Sequence, residues 1–326
     1  MHAVSVSRRT DIPAFYAPWF ANRLQAGFCH WLNPYSGAVY RVSLRPEDCF
    51  AFVFWTRNPR PMLPVLDRLD AGGYAYYFHV SITGYGAPLE LHNPPLPAAI
   101  GAVRALAERI GPERVLWRYD PIVFSSITPF VYHLDHFAAI AAQLEGLTHR
   151  CSYSFLDFYG KTRRNLDAVR AEHGITFEDP GAPERDALLA GFVEIAAQHG
   201  ITLYGCCEAD HARIPAIQPG RCLDPDLLAV MVGERMPTLK PQPTREHCGC
   251  VRSVDIGAYD TCLFGCRYCY ATNTLDAARA RRAAHDPTDT ILVRPPHLAG
   301  VDLDTLVKPP AQQDVPAVQP SLFGGA

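Results

Sequence analysis

Short apolar runs of strand length alternate along the chain with longer stretches in which apolar residues recur at helical spacing. Residues 50–55, Phe-Ala-Phe-Val-Phe-Trp, form a continuous apolar run, which predicts a strand buried on both faces, as in a parallel sheet. Residues 4–7, 74–82, 115–117, 152–155 and 202–205 read as further strands, and 254–257 as a last one. Helices are predicted over 18–26, 61–71, 97–110, 132–144, 183–199, 227–236 and 270–284. Residues 28–45 are aromatic and punctuated by Pro and Gly, with a turn at Asn33-Pro34-Tyr35-Ser36-Gly37, and read as a hairpin excursion.

Repeated strand–helix units predict an α/β fold with helices outside a parallel sheet. Each strand runs into a polar loop: Arg8-Arg9-Thr10-Asp11, Thr56-Arg57-Asn58-Pro59, Arg118-Tyr119-Asp120-Pro121, Cys206-Cys207-Glu208. A (β/α) barrel of the TIM type gathers such loops on one face, where active sites lie. An open doubly wound sheet also gathers them along one edge. No Gly-rich phosphate fingerprint follows the first strand, which favours the barrel. The expected organisation is a barrel over 1–285 and an extended or disordered tail over 286–326, where periodic apolar surface is too sparse for independent folding.

The 326 residues suffice for a large core, and 48% hydrophobic and 19% charged residues are globular values. A net charge of −3 gives no electrostatic support for a nucleic-acid partner, and no apolar run approaches transmembrane length. The first residues lack the order of a signal peptide, so the expected location is cytoplasmic, with no membrane partner. A reducing compartment turns the 11 cysteines toward metal ligation, catalysis or burial and away from a disulfide framework.

Cys262-Leu263-Phe264-Gly265-Cys266-Arg267-Tyr268-Cys269-Tyr270 places three cysteines at C-x3-C-x2-C spacing. Three close thiolates suit three corners of a cubane iron–sulfur cluster and leave the fourth iron open. Thiolates also suit zinc, although structural zinc takes four ligands and this loop offers three. The loop resembles the signature of the radical S-adenosylmethionine (SAM) enzymes. That resemblance implies a [4Fe-4S] cluster on Cys262, Cys266 and Cys269, SAM at the open iron, and Tyr268 near the adenine. It further implies one-electron cleavage of SAM to a 5′-deoxyadenosyl radical that abstracts hydrogen from a substrate the sequence does not specify.

The likeness extends beyond one loop. Val6-Ser7-Arg8-Arg9-Thr10-Asp11-Ile12-Pro13, Phe54-Trp55-Thr56-Arg57-Asn58-Pro59, Trp117-Arg118-Tyr119-Asp120-Pro121 and Cys248-Gly249-Cys250 with Tyr259-Asp260-Thr261-Cys262 resemble the bacterial DUF1848 family over roughly residues 3–275. In most radical SAM enzymes the cysteine loop follows the first strand; here it lies near the C-terminus. A barrel that closes on itself places the loop after its last strand beside the first, a circular permutation of the usual order. Arg8, Arg9, Asp11, Arg57, Asn58, Arg118 and Asp120 then supply charges of both signs for the amine and carboxylate of the methionine moiety, arginine suiting the carboxylate best. The alternative is that Arg118 and Asp120 are structural pairs capping loops.

Cys206, Cys207, Cys222, Cys248 and Cys250 are candidates for a second iron–sulfur cluster or metal site; the alternative is that one of each pair is buried and inert. Cys29, Cys49 and Cys151 read as core residues, and His30 and His79 as satisfied core histidines. Asp157, Tyr159 and Lys161 are candidate substrate-loop groups. Gln319-Pro320-Ser321-Leu322-Phe323 resembles the short peptide by which bacterial DNA enzymes dock on the sliding clamp. With spore photoproduct lyase as an analogy, such docking implies a link to DNA repair. Two rival functions remain: a non-catalytic iron–sulfur or zinc module recruited through the tail, and a redox sensor.

Overall fold

A computed structural model describes residues 1–308. Eight strands make one wholly parallel sheet: β1 (His2–Val6), β2 (Cys49–Thr56), β3 (Ala75–Ser81), β4 (Val115–Ile122), β5 (Arg150–Phe155), β6 (Thr202–Cys206), β7 (Gln218–Gly220) and β8 (Ser253–Asp255). The helices of eight residues or more are α1 (Ala17–Ala26), α2 (Leu96–Ile110), α3 (Phe130–Leu144), α4 (Gly160–His173), α5 (Ala182–Gln198), α6 (Pro225–Val232) and α7 (Leu275–Ala283). The hairpin Phe28–Leu32 and Val39–Ser43 stands outside the sheet, as its turn chemistry predicts. The expected helix over 61–71 begins as the 3-10 stretch Arg60–Val65 and becomes α-helical over Leu66–Ala71. Pro61 and Pro64 lack the N–H groups that regular turns need. Among the described residues no helix is long and apolar enough to cross a membrane.

The spatial order is β7-β6-β5-β4-β3-β2-β1-β8. It does not reverse direction between β1 and β7, so the sheet is not doubly wound. Right-handed crossovers to the next strand on the same side place their helices on one face. Side chains alternate accordingly. Phe52, Phe54, Tyr76 and Phe78 pack in the larger core with α1, α2, α3 and α5. Ala51, Val53 and Tyr77 point the other way, against Leu227, Leu228 and Val232 of α6 and against Val251. This double cover is why β2 is apolar at nearly every position.

Two expectations are corrected. A closed (β/α) barrel is not formed among the described residues: no ladder joins β7 to β8, and both are three-residue strands. The chain between them, with α6, lies on the inner face instead. Secondly, 286–308 is not a free tail. Ile291, Leu298 and Leu303 are buried with Val39 of the hairpin, His30 pairs with Ile291, and Trp19 Nε1 donates to the Asp289 carbonyl at 2.9 Å. The last strand does lie beside the first, with Val4 opposite Val254. Gln319, Leu322 and Phe323 lie outside the described residues.

Candidate functional site

The C-terminal ends of β1 to β7 and the loop that follows β8 open into one cavity of about 320 Å³. β1 contributes Arg8, Arg9 and Asp11, β2 Arg57, β4 Arg118 and Asp120, and β5 Asp157 and Tyr159. Cys206 ends β6 and Cys207 follows it, Cys222 follows β7, and Cys248 and Cys250 precede β8. Cys262, Cys266, Tyr268 and Cys269 come from the loop after β8. Two sequence candidates are not part of the wall. Asn58 serves its own turn, its Oδ1 accepting from the Arg60 N–H at 3.3 Å. Lys161 donates to the Tyr270 carbonyl at 3.0 Å, outside the wall.

The cysteine loop is laced to residues 89–92. The Arg267 N–H donates to the Leu89 carbonyl at 2.9 Å, the His92 N–H to the Phe264 carbonyl at 3.0 Å, and Cys266 bridges to Glu90. Gly265 has φ +67°, and an added Cβ would meet Leu91 at 3.3 Å, so glycine is the residue that fits. Tyr268 Oη accepts from Arg57 at 2.7 Å and donates to Glu90, which also accepts from Thr83 and from the Tyr85 N–H at 3.1 Å. Arg57 lies 3.2 Å from the same carboxylate. The buried Glu90 therefore fixes the loop's aromatic residue and its nearest guanidinium.

Burial pushes the Cys262 thiol well up, helped by Asp11, Cys269 and Cys266, and pushes the Cys266 thiol up to about 12 despite Arg57. The Ala271 N–H donates to Cys269 Sγ at 3.3 Å. The three sulfurs share one wall, yet no group of three or more His, Cys, Asp or Glu is arranged to hold a metal ion among the described residues. The metal reading is therefore not met by a preformed ligand set.

The arginines carry the electrostatics. For Arg57, burial alone would lower the pKa, but Cys266, Tyr268, Glu90 and Cys262 outweigh it, and the net direction is up. Arg8 behaves likewise beside Cys250, Cys222 and Asp255. Arg118 does so beside Asp120, Cys222 and Cys206, and it is hydrogen-bonded to Asp120. Arg8 Nε and Arg9 Nε and Nη1 are buried without a hydrogen-bond partner. Asp11 is pushed up to about 7 by burial, although it accepts from the Arg57 N–H at 2.6 Å and caps the helical turn Ile12–Phe15.

Sequence reasoning missed three residues here. Glu90 sits in Leu89-Glu90-Leu91 with no pattern to mark it. Asp255 binds Ser5 and Ser7 at 2.7 Å and the Arg8 N–H at 2.8 Å, joining β8 to the end of β1; an acid among Val254, Ile256 and Gly257 at a strand end was its signal. Arg245, from a Pro-rich segment, donates to the Cys206 carbonyl at 3.0 Å and pairs with Asp157. Cys29, Cys49 and Cys151 are buried core residues, as expected, whereas His79 is only half satisfied: its Nε2 meets the Cys222 carbonyl at 2.8 Å and its Nδ1 is buried without a hydrogen-bond partner.

No curated protein matches the chain. The profile described as "Domain of unknown function (DUF1848)" matches residues 3–271. That span holds every residue of the cavity wall, from Ser7 to Ala271. The chain thus belongs to the DUF1848 family, and the cavity lies wholly within the part that makes it a member.

Proposed function

We propose that the chain is a radical SAM-type enzyme in which Cys262, Cys266 and Cys269 hold a [4Fe-4S] cluster and SAM takes the open iron. The observation that carries this reading is the meeting, in one cavity, of the three loop thiols with buried guanidinium donors that lack hydrogen-bond partners. Buried polar groups are normally satisfied, so Arg8 Nε and Arg9 Nε suit a ligand carboxylate, while Arg9 Nη1 already stands 3.7 Å from Asp255. A bound cluster and SAM would supply one-electron cleavage of a sulfonium C–S bond and, with it, hydrogen-atom abstraction.

The chain's own residues hold and shield. Arg57 offsets negative charge at Cys262 and Cys266, and the Ala271 N–H supports Cys269. Glu90 keeps Arg57 and Tyr268 in place. Asp120, tied to Arg118 and Ser154, stays oriented at the mouth of β4. Trp55, Phe155, Leu156 and Phe264 give the cavity apolar walls that limit water. Loading the loop requires its thiols to lose their protons to solvent.

Anaerobic reconstitution with iron and sulfide, followed by reduction with SAM present, tests the reading. Formation of 5′-deoxyadenosine by the wild type and its loss in Cys266→Ala is the expected result. An intact cluster on the loop that neither binds nor cleaves SAM would refute it.

A further inference from the structure

Away from the cysteine loop, the same cavity gathers five more thiols from three separate stretches of chain. Cys206 ends β6 and Cys207 follows it, Cys222 follows β7, and Cys248 and Cys250 come from the segment that crosses the inner face. They are neighbours in a ring that lines the wall of the cavity. Cys206 Sγ lies 3.4 Å from Cys222 Sγ. Cys206 neighbours Cys207, Cys207 neighbours Cys248, Cys248 neighbours Cys250, and Cys250 neighbours Cys222, closely enough for each thiol to bear on the next one's charge. Adjacent residues of a strand point to opposite faces. Cys207 escapes that alternation with φ +60°, a left-handed backbone uncommon for a non-glycine residue, and so joins Cys206 in the ring.

The surroundings suit negatively charged sulfur. Arg118 Nη1 donates to Cys222 Sγ at 3.1 Å, and its Nη2 lies 3.9 Å from Cys206 Sγ. Arg8 faces Cys250, Cys222 and Cys248, and Arg245 faces Cys207 and Cys206. The Leu223 N–H donates to Cys250 Sγ and the Thr244 hydroxyl to Cys248 Sγ, both at 3.5 Å. Five neutral thiols in a core need no such company. Thiolates gathered around a metal do, because their summed negative charge must be offset where water is scarce. Cys222 is also held in place, its carbonyl accepting from Tyr77 at 2.7 Å and from His79 at 2.8 Å.

We propose that Cys206, Cys207, Cys222, Cys248 and Cys250 form a second centre for a thiophilic metal, separate from the Cys262–Cys269 loop. The ligand chemistry is thiolate sulfur, which suits zinc and iron–sulfur clusters alike. A zinc ion at about 2.3 Å from each of four sulfurs sets neighbouring sulfurs roughly 3.8 Å apart; the five thiols are not a preformed ligand set, so they would have to draw in around the metal. An iron–sulfur cluster would instead spread four of the five thiolates. In either case each ligating thiol gives its proton to solvent and no electron is transferred. Nothing in this inference depends on SAM chemistry at the loop.

The test uses the full-length chain with Cys262, Cys266 and Cys269 all replaced by Ala, so that failure of the loop reading cannot affect it. One arm offers zinc alone, the other iron with sulfide under anaerobic conditions, and bound metal is counted after desalting. The expected result is about one zinc, or about four iron with matching sulfide, per chain in one of the arms. Adding Cys207→Ser, Cys222→Ser and Cys250→Ser should then lower retention at least tenfold. Binding of neither metal in the loop-free chain overturns the proposal, as does unchanged retention after the ring is broken. Cobalt(II) titration of the loop-free chain gives a reading that does not need the ring variants to fold. Thiolate-to-cobalt charge-transfer absorption supports the assignment, and its absence counts against it.

Discussion

Replacing Glu90 by Gln removes one negative charge from a buried network while keeping its volume. The native carboxylate accepts from Tyr268, from Thr83 and from the Tyr85 N–H at 3.1 Å, and stands 3.2 Å from Arg57. Glu90 is 4% exposed, so water cannot replace what the substitution removes. Removing one partner of a buried ion pair outright costs about 3–5 kcal/mol. Gln retains one acceptor oxygen, so the expected loss is smaller, about 2–3 kcal/mol. In a chain of this size that lowers the melting temperature by roughly 3–4 °C. Tyr268→Phe removes a hydroxyl bonded to two charged groups and should cost about 1.5–3 kcal/mol. Both changes break the same network, so the double variant should fall short of the sum by about 1 kcal/mol or more. Thermal melts of the four proteins close the cycle. A Glu90→Gln protein within about 0.5 kcal/mol of wild type, or strict additivity, would refute the account of how the cysteine loop is anchored.

Further outcomes are expected elsewhere. Arg118→Met should cost about 3–5 kcal/mol in chemical denaturation by leaving Asp120 without its guanidinium, and Arg118→Lys should recover only part, since a point charge cannot span Asp120 and Cys222 as a planar fork does. Gly265→Ala should destabilise the loop by about 1–2 kcal/mol, because φ is +67° and Leu91 lies 3.3 Å from the new Cβ; a melt equal to wild type would contradict this. His133 is lowered by burial from 6.5 to about 4 in the folded protein. Between those values the unfolded chain binds more protons, so stability is full above about 6.5 and drains away as pH falls toward 4, by of order 3 kcal/mol. Denaturation midpoints at pH 7.5 and 4.5 should therefore differ less in His133→Gln than in wild type. His79, lowered to about 3 by burial and Arg118, leaves a residual slope of the same sign.

Strands were legible where burial on both faces wrote a continuous apolar run, as in β2, and helices where the apolar stripe was broad, as in α2 and α3. The helix α4 escaped notice because it buries only Thr162, Leu166 and Val169, too narrow a stripe to show as a period. The strand β7 is Gln-Pro-Gly, a composition that reads as a turn and is tolerated only at a sheet edge. The missing barrel closure follows from α6, whose apolar residues were readable as a helix but not as the filling of the inner face. Within 286–308, Ile291, Leu298 and Leu303 are spaced too irregularly to announce that they pack on the hairpin. At the site, charged strand ends and cysteines were visible because they break apolar runs. Their division into a loop and a second set was legible too, but not which thiols meet, since contacts such as Cys206 with Cys222 depend on long-range strand order.

Electron paramagnetic resonance of the anaerobically reconstituted, reduced protein, recorded before and after addition of SAM, addresses the open iron on the Cys262, Cys266 and Cys269 loop most directly. The expected result is a cluster signal whose g values shift when SAM is added, with that SAM-responsive signal missing from Cys266→Ala. A spectrum that SAM leaves unchanged, or one that survives intact in Cys266→Ala, would contradict it.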